Sequence, residues 1–184
     1  MRKLYKDIEP EILVTREQLQ KRIRELGEQI TRDFEGKGEI LAVCILKGSV
    51  VFFTDLIREI DLPVVLDFMQ LSSYGKSTTT SGIIHVNKDL EYSPKGKQVL
   101  VVEDIVDSGL TMQFLDEYLR EKGATDVSII SLMDKPTAHK VPVNVKYVGF
   151  EIPDAFVVGY GLDYAQKYRN LPEIGILRPE IYSK

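Results

Sequence analysis

The segment VLVVEDIVDSGLTM, residues 99–112, sets two adjacent acids, Glu103 and Asp104, at the end of an apolar run and follows them with the turn Asp107, Ser108, Gly109, Leu110, Thr111. A carboxylate pair where a strand ends can hold a sugar diol, directly or through a shared divalent cation. The turn offers backbone N–H groups and two hydroxyls to a phosphate where a helix begins. Both halves together suit a phosphorylated sugar. Lys47, just after the apolar run ILAVCIL, and Lys135, just after SIISLMD, stand at equivalent places. If each run is a strand, one rim of a sheet collects the acids, the turn and both cations.

The elements that must position these residues are legible as patterns. Thr15 followed by Gln18 is a capping-box signature, and Leu19, Ile23, Leu26, Ile30 and Phe34 then recur at helical spacing. Gly36 and Gly38 end that helix, residues 39–46 read as a buried strand, and Lys47-Gly48-Ser49 turns the chain into a second helix ending near Ile60. Residues 64–70 are the next predicted strand. The stretch LSSYGKSTTTSG, residues 71–82, is too rich in Ser, Thr and Gly for a packed element and reads as a loop. A short strand at 83–86, the strand from Val99, and a helix over 111–122 stopped by Gly123 follow. Further strands are predicted at 126–132, 145–149, 155–158 and 174–177. Alternating strands and helices imply an α/β fold: a mainly parallel twisted sheet flanked by helices, with its ligand site outside the carboxyl ends of the strands.

Composition narrows the partners. With 184 residues and 43% hydrophobic content, one domain with a full core is expected. A net charge of −4 argues against nucleic acid as a partner. The lone Cys44 sits inside an apolar run and reads as a core thiol, which fits a reducing cytosol. No apolar run approaches the roughly 20 residues of a membrane span, and the N-terminal MRKLYKDIEPE lacks a signal peptide's apolar region. A soluble, cytoplasmic protein is expected. His85 and His139 show no metal-ligand spacing and are assigned to surface or core.

VLVVEDIVDSGLTM resembles the phosphoribosyl pyrophosphate motif of type I phosphoribosyltransferases. LKGS (46–49), SSYG (72–75), DKP (134–136) and FEIPDAFVVGYGLDYAQKYRNLP (150–172) resemble segments of the hypoxanthine-guanine phosphoribosyltransferases, in that family's order. The resemblance implies one phosphoribosyltransferase domain over residues 1–184, with a small hood over the purine site built from 150–184 and the N-terminus. It implies transfer of a 5-phosphoribosyl group from 5-phosphoribosyl 1-pyrophosphate to N9 of hypoxanthine or guanine, giving IMP or GMP and pyrophosphate.

Site roles follow residue by residue from the same resemblance. The 5′-phosphate falls to Asp107, Ser108, Gly109, Leu110 and Thr111; Leu110 stands where some relatives carry a cation, so the cradle relies on amides and the helix terminus. Glu103 and Asp104 fall to the ribose hydroxyls. Asp107 is the catalytic acid-base group near purine N7. Leu46, Lys47 and Gly48, with a cis Leu46–Lys47 peptide, and Arg169 fall to pyrophosphate. Lys135, Phe156, Val157, Ile105 and Asp163 surround the purine, with Lys135 donating to the exocyclic O6 and so selecting against adenine. Ser73 and Tyr74 belong to a lid loop. Two Mg²⁺ ions per site are implied, with Glu103, Asp104 and Asp163 as metal residues, and a homodimer or homotetramer. Xanthine-guanine phosphoribosyltransferase is the nearer alternative, although its hood is shorter than 150–172. A ligand-sensing regulator of the same fold is the more distant one, and it would need no base-reading hood.

Overall fold

The first helix forms where the capping box and the periodicity place it. In the computed structural model, which describes residues 3–73 and 84–183, α1 runs Arg16–Phe34, with Thr15 and Gln18 exchanging the reciprocal bonds of the box. Its apolar stripe, Leu19 to Phe34, is buried throughout.

The central sheet has the order β4-β3-β2-β5-β6-β7, formed by Ile84–Lys88, Val64–Ser73, Ile40–Leu46, Gln98–Val106, Asp126–Asp134 and Tyr147–Glu151. All neighbours pair in parallel except β3 with β4. Successive residues of a strand point to opposite faces, so β2 and β5 feed two cores. Ala42, Cys44, Leu100 and Val102 join α1 and the short helix α2, Val50–Leu56. Leu41, Val43, Val99 and Val101 join α3, Leu110–Glu121, through Met112, Leu115 and Leu119. Burial on both faces explains the unbroken apolar runs in these strands.

A second, antiparallel sheet has the order β1-β9-β8, from Ile8–Val14, Ile174–Leu177 and Val157–Val158. It packs its own small core of Ile8, Val158, Tyr168, Leu171 and Leu177, and the short helix α4, Pro179–Tyr182, follows it. Strand β1 escaped the sequence reading because Glu9-Pro10-Glu11 breaks its pattern, yet proline is tolerated on an edge strand, which β1 is. The predicted strand at 155–158 shrinks to Val157–Val158 and leaves the central sheet.

Two further boundaries differ. Strand β5 continues to Val106, because Ile105 and Val106 still pair with Met133 and Asp134 of β6, so Glu103 and Asp104 lie within the strand's last residues rather than past its end. Strand β3 extends through Leu71, Ser72 and Ser73 by pairing with β4. Ser73 is therefore the last residue of a strand, and Tyr74 with the rest of the predicted loop lies outside the described residues. Among the described residues, no helix is long and apolar enough to cross a membrane.

Candidate active site

The carboxyl ends of β2, β5 and β6 are neighbours, so the segments that follow them share one rim. After β2 comes the Leu46–Lys47 peptide, which is cis. The side chain of Lys47 is exposed, whereas Gly48 is buried against Asp104: a Cβ at Gly48 would lie 2.6 Å from the Asp104 carboxyl carbon and overlap one of its oxygens. Gly161 meets the other side of this loop, its α-carbon abutting the Gly48 carbonyl at φ +102°. The loop is anchored from beneath by Ser49, fully buried, whose hydroxyl donates to the Ile45 carbonyl at 2.5 Å and contacts Cys44 Sγ at 3.2 Å. Burial raises the Cys44 thiol to about 11, which makes it inert as a nucleophile at neutral pH and agrees with a core thiol.

Glu103 and Asp104 occupy different environments. Glu103 is buried, and its Oε2 has no hydrogen-bond partner among the described residues. Desolvation, followed by the neighbouring Asp104 charge, holds its carboxyl well above the usual carboxylate range. Asp104 is half-buried, with Oδ1 accepting from the Ile105 N–H at 2.8 Å. The folded state thus keeps a proton on Glu103 that the unfolded chain releases near pH 4.5, and stability falls as pH rises from there until the native pKa is passed. In metal-free buffer Glu103→Gln is accordingly expected to melt higher than the parent, by a margin that widens across that window. Thermal melts from about pH 4 to 8 check this; a margin independent of pH would refute burial as the source.

The turn after β5 is built for a helix start. Gly109 sits at the N-cap of α3 with φ +81°, a left-handed conformation that favours glycine, and a Cβ there would press on Val141 and Val143 at 3.2–3.3 Å. No side-chain hydrogen bond caps this helix at its N-cap, so its first-turn amides are not satisfied by a capping side chain. The Ser108 carbonyl accepts from the Lys140 N–H at 2.9 Å, and Ser108, Leu110 and Thr111 are half-buried.

Beyond the turn lies a cleft of about 230 Å³ whose walls include Asp104, Ile105, Asp107, Lys135, Phe156 and Asp163. Val157 lines it too, with Ala155 and Leu162, two residues that motif reading did not single out. The Lys135 side chain is only 8% exposed and its Nζ lies 3.5 Å from Asp107 and 3.3 Å from Asp154. Asp154 was also missed; nothing local marks it, because its partner lies nineteen residues away. Phe156 is 38% exposed, stacked on one face by Tyr182 at 5.1 Å and met edge-on by Tyr164 at 5.5 Å. Asp163 accepts from the Gln166 N–H and pairs with Arg169 at 2.6 Å, while Arg169 also donates to the Gly161 carbonyl at 2.8 Å.

The structure thus gathers Asp104, Ile105, Asp107, Lys135, Phe156, Val157 and Asp163 around one cleft, with Glu103 and residues 108–111 adjoining it in the chain. Arg169 reaches the cleft through its pair with Asp163 at 2.6 Å, and Lys47 stands next to Gly48, which packs against Asp104. His139 is half-buried, its Nε2 2.7 Å from the buried Asp134 carboxylate, brought there by the tight turn Pro136–Ala138, a contact the sequence reading did not foresee.

The carboxylate pair fits a hard cation. It supplies oxygen donors, and the orphaned Glu103 oxygen together with mutual repulsion leaves the site short of positive charge. Among the described residues no cluster of three or more His, Cys, Asp or Glu exists, so substrate oxygens and water would complete any coordination shell.

Comparison with known proteins agrees with this architecture. Residues 11–165 match the family described as phosphoribosyl transferase domain. The chain is 48% identical over 176 residues to the hypoxanthine-guanine phosphoribosyltransferase of Bacillus subtilis, covering 96% of this chain and 97% of that protein. The crystal structure of a hypoxanthine phosphoribosyltransferase from Staphylococcus aureus superposes with a TM-score of 0.94 at 45% identity, covering 98% of this chain and 97% of that one. A hypoxanthine phosphoribosyl transferase structure from Trypanosoma cruzi gives 0.91 at 38% identity, covering 96% and 95%. With the family matched over most of its length and full-length relatives nearly half identical to it, the chain belongs to the phosphoribosyltransferase family, among its hypoxanthine-guanine members.

Proposed function

We propose that this enzyme transfers the 5-phosphoribosyl group of 5-phosphoribosyl 1-pyrophosphate to N9 of hypoxanthine or guanine, a purine-salvage reaction that releases pyrophosphate with IMP or GMP. The observation that carries this reading is the buried Lys135 ammonium in the wall of a cleft that also holds Ile105, Phe156 and Val157, 3.5 Å from Asp107 and beside the phosphate-cradle turn. A donor cation in that wall matches the 6-oxo group of a purine and mismatches the 6-amino group of adenine.

Each residue has a task in the displacement at C1′. The bond to pyrophosphate breaks, the bond to N9 forms, and a proton leaves the base. Asp107 accepts that proton or stabilises it near N7, as an exposed carboxylate with a nearby ammonium. Backbone amides of residues 108–111, with the Ser108 and Thr111 hydroxyls, hold the 5′-phosphate at the start of α3. Glu103 and Asp104 hold the ribose hydroxyls. Leu46, Lys47 and Gly48 present backbone N–H groups and one ammonium to the departing pyrophosphate, and Arg169 adds a guanidinium from the other side. Phe156 offers its face to the base, with Tyr182 behind it, and Ile105 packs opposite. Val157 presents main-chain groups to the purine edge. Two Mg²⁺ ions, one near Glu103 and Asp104 and one near Asp163, would supply charge neutralisation for ribose and pyrophosphate oxygens when bound.

The chain acts as one phosphoribosyltransferase domain, with the β1-β9-β8 sheet and its neighbours forming the hood. An acidic chain with a single buried thiol suits a reducing cytoplasm, and the family supports a homodimer or homotetramer.

The test is a base panel. With 5-phosphoribosyl 1-pyrophosphate and Mg²⁺, hypoxanthine and guanine are expected to be consumed and adenine left untouched. Adenine turnover at a similar rate would overturn the role of Lys135, and xanthine turnover far above hypoxanthine would shift the assignment to xanthine-guanine transfer.

A further inference from the structure

The segment joining Lys135 to the phosphate-cradle turn is closed by a contact that no sequence motif announces. Asp134 ends β6, buried, and its carboxylate meets His139 Nε2 at 2.7 Å across the turn Pro136–Ala138. The backbone on either side of this contact touches both halves of the site. At the near end, the Lys135 N–H donates to the Val106 carbonyl at 3.0 Å, immediately before Asp107, and the Asp134 carbonyl accepts from the Ile152 N–H at 2.9 Å, on the approach to Asp154 and Phe156. At the far end, Lys140, adjacent to His139, donates its N–H to the Ser108 carbonyl at 2.9 Å. The loop from 134 to 140 therefore leaves from the base-reading lysine and returns to the turn whose amides face the phosphate.

We infer that the Asp134–His139 pair is a positioning clamp that sets the distance between the base-reading Lys135 and the 5′-phosphate cradle; this rests on the function proposed above. Between the backbone bonds at its two ends, this five-residue excursion has one internal backbone bond, Ala138 N–H to the Lys135 carbonyl at 2.9 Å. A hydrogen bond to a buried carboxylate is among the stronger single contacts available to such a loop. Because the loop's two ends serve different substrates, loosening it weakens both. Neither Asp134 nor His139 lines the cleft that holds Asp107 and Lys135, so the pair acts through its neighbours and takes no proton from the substrate.

The experiment is steady-state kinetics of His139→Ala, His139→Arg, Asp134→Asn and the double variant His139→Ala with Asp134→Asn, beside thermal melts of each. In His139→Ala, KM for hypoxanthine and for 5-phosphoribosyl 1-pyrophosphate should rise together by about tenfold, while kcat stays within about twofold. His139→Arg, which places an N–H donor facing Asp134, should restore both KM values, and the double variant should be little worse than either single one. Unchanged KM values in His139→Ala, or a lowered melting temperature with both KM values intact, would overturn the clamp. The two readings fail separately: a parent enzyme inactive on every 6-oxopurine refutes the proposed function, whereas an active parent with unmoved KM values in the variants refutes only the clamp.

Discussion

Asp107→Asn is expected to lower kcat by about 10²-fold while leaving the KM for 5-phosphoribosyl 1-pyrophosphate within about threefold of the parent. The amide has nearly the volume of the carboxylate, and the turn does not depend on the lost charge for its shape. Its helix start is set by Gly109 at φ +81°, and its register by the bond from the Lys140 N–H to the Ser108 carbonyl. What disappears is the proton acceptor, together with one of two carboxylates facing the Lys135 ammonium; Asp154 remains at 3.3 Å. Lys135 thus keeps a counter-charge, and the KM for hypoxanthine should change less than kcat. Rates and KM values measured for both substrates, with the melting temperature as a control, decide it. A variant that turns over at the parent rate would remove Asp107 from the chemistry, and a large rise in donor KM would reassign it to binding.

Gly48→Ala should produce the second large effect, a fall of roughly 10- to 100-fold in kcat/KM. The added methyl would sit 2.6 Å from the Asp104 carboxyl carbon, inside the space of its oxygen. Something has to move, and overpacking of this kind costs about 1–3 kcal/mol. The loop cannot retreat in the other direction, because the Gly48 carbonyl already abuts the α-carbon of Gly161, and Gly161 is held in turn through its own carbonyl by Arg169. Asp104 must therefore swing away or the pyrophosphate loop must shift, and either change separates groups proposed to grip the two ends of the same donor molecule. The expected signature is a raised KM for 5-phosphoribosyl 1-pyrophosphate and a weaker response to added Mg²⁺, with the hypoxanthine KM less affected. Parent-like donor kinetics would show that the close approach of Gly48 and Asp104 has no bearing on the reaction.

These two sites differ in how far the residues alone revealed them. Asp107 belongs to a contiguous segment in which strand, acids, turn and helix start follow one another, and the chemistry could be read from one stretch of chain. Gly48 was assigned through resemblance, and the reason glycine is required there emerges only from Asp104 and Gly161, which lie on other elements. Tyr182 behind Phe156, Asp154 beside Lys135 and His139 on Asp134 went unrecognised in the same way. Two of these contacts are made across chain separations with no periodicity, and the third depends on a tight turn that no local pattern demanded.

The amino-acid order alone determined the phase of α1, the buried strands β2 and β5, the strand β6, a helix after the Asp107–Thr111 turn and the likeness to hypoxanthine-guanine phosphoribosyltransferases. All of these rest on short-range regularities: a 3.6-residue stripe, unbroken apolar runs, and motifs that are contiguous in the chain. The fold alone decided that β1 and β9, with Ile8 opposite Leu177, leave the central sheet to build a second one. It also decided that Glu103 loses its solvent while Asp104 beside it keeps some, and that Lys135 is buried between two carboxylates. Strand pairing and desolvation depend on partners supplied by distant segments, and a group's charge state depends on what surrounds it rather than on its neighbours in the chain.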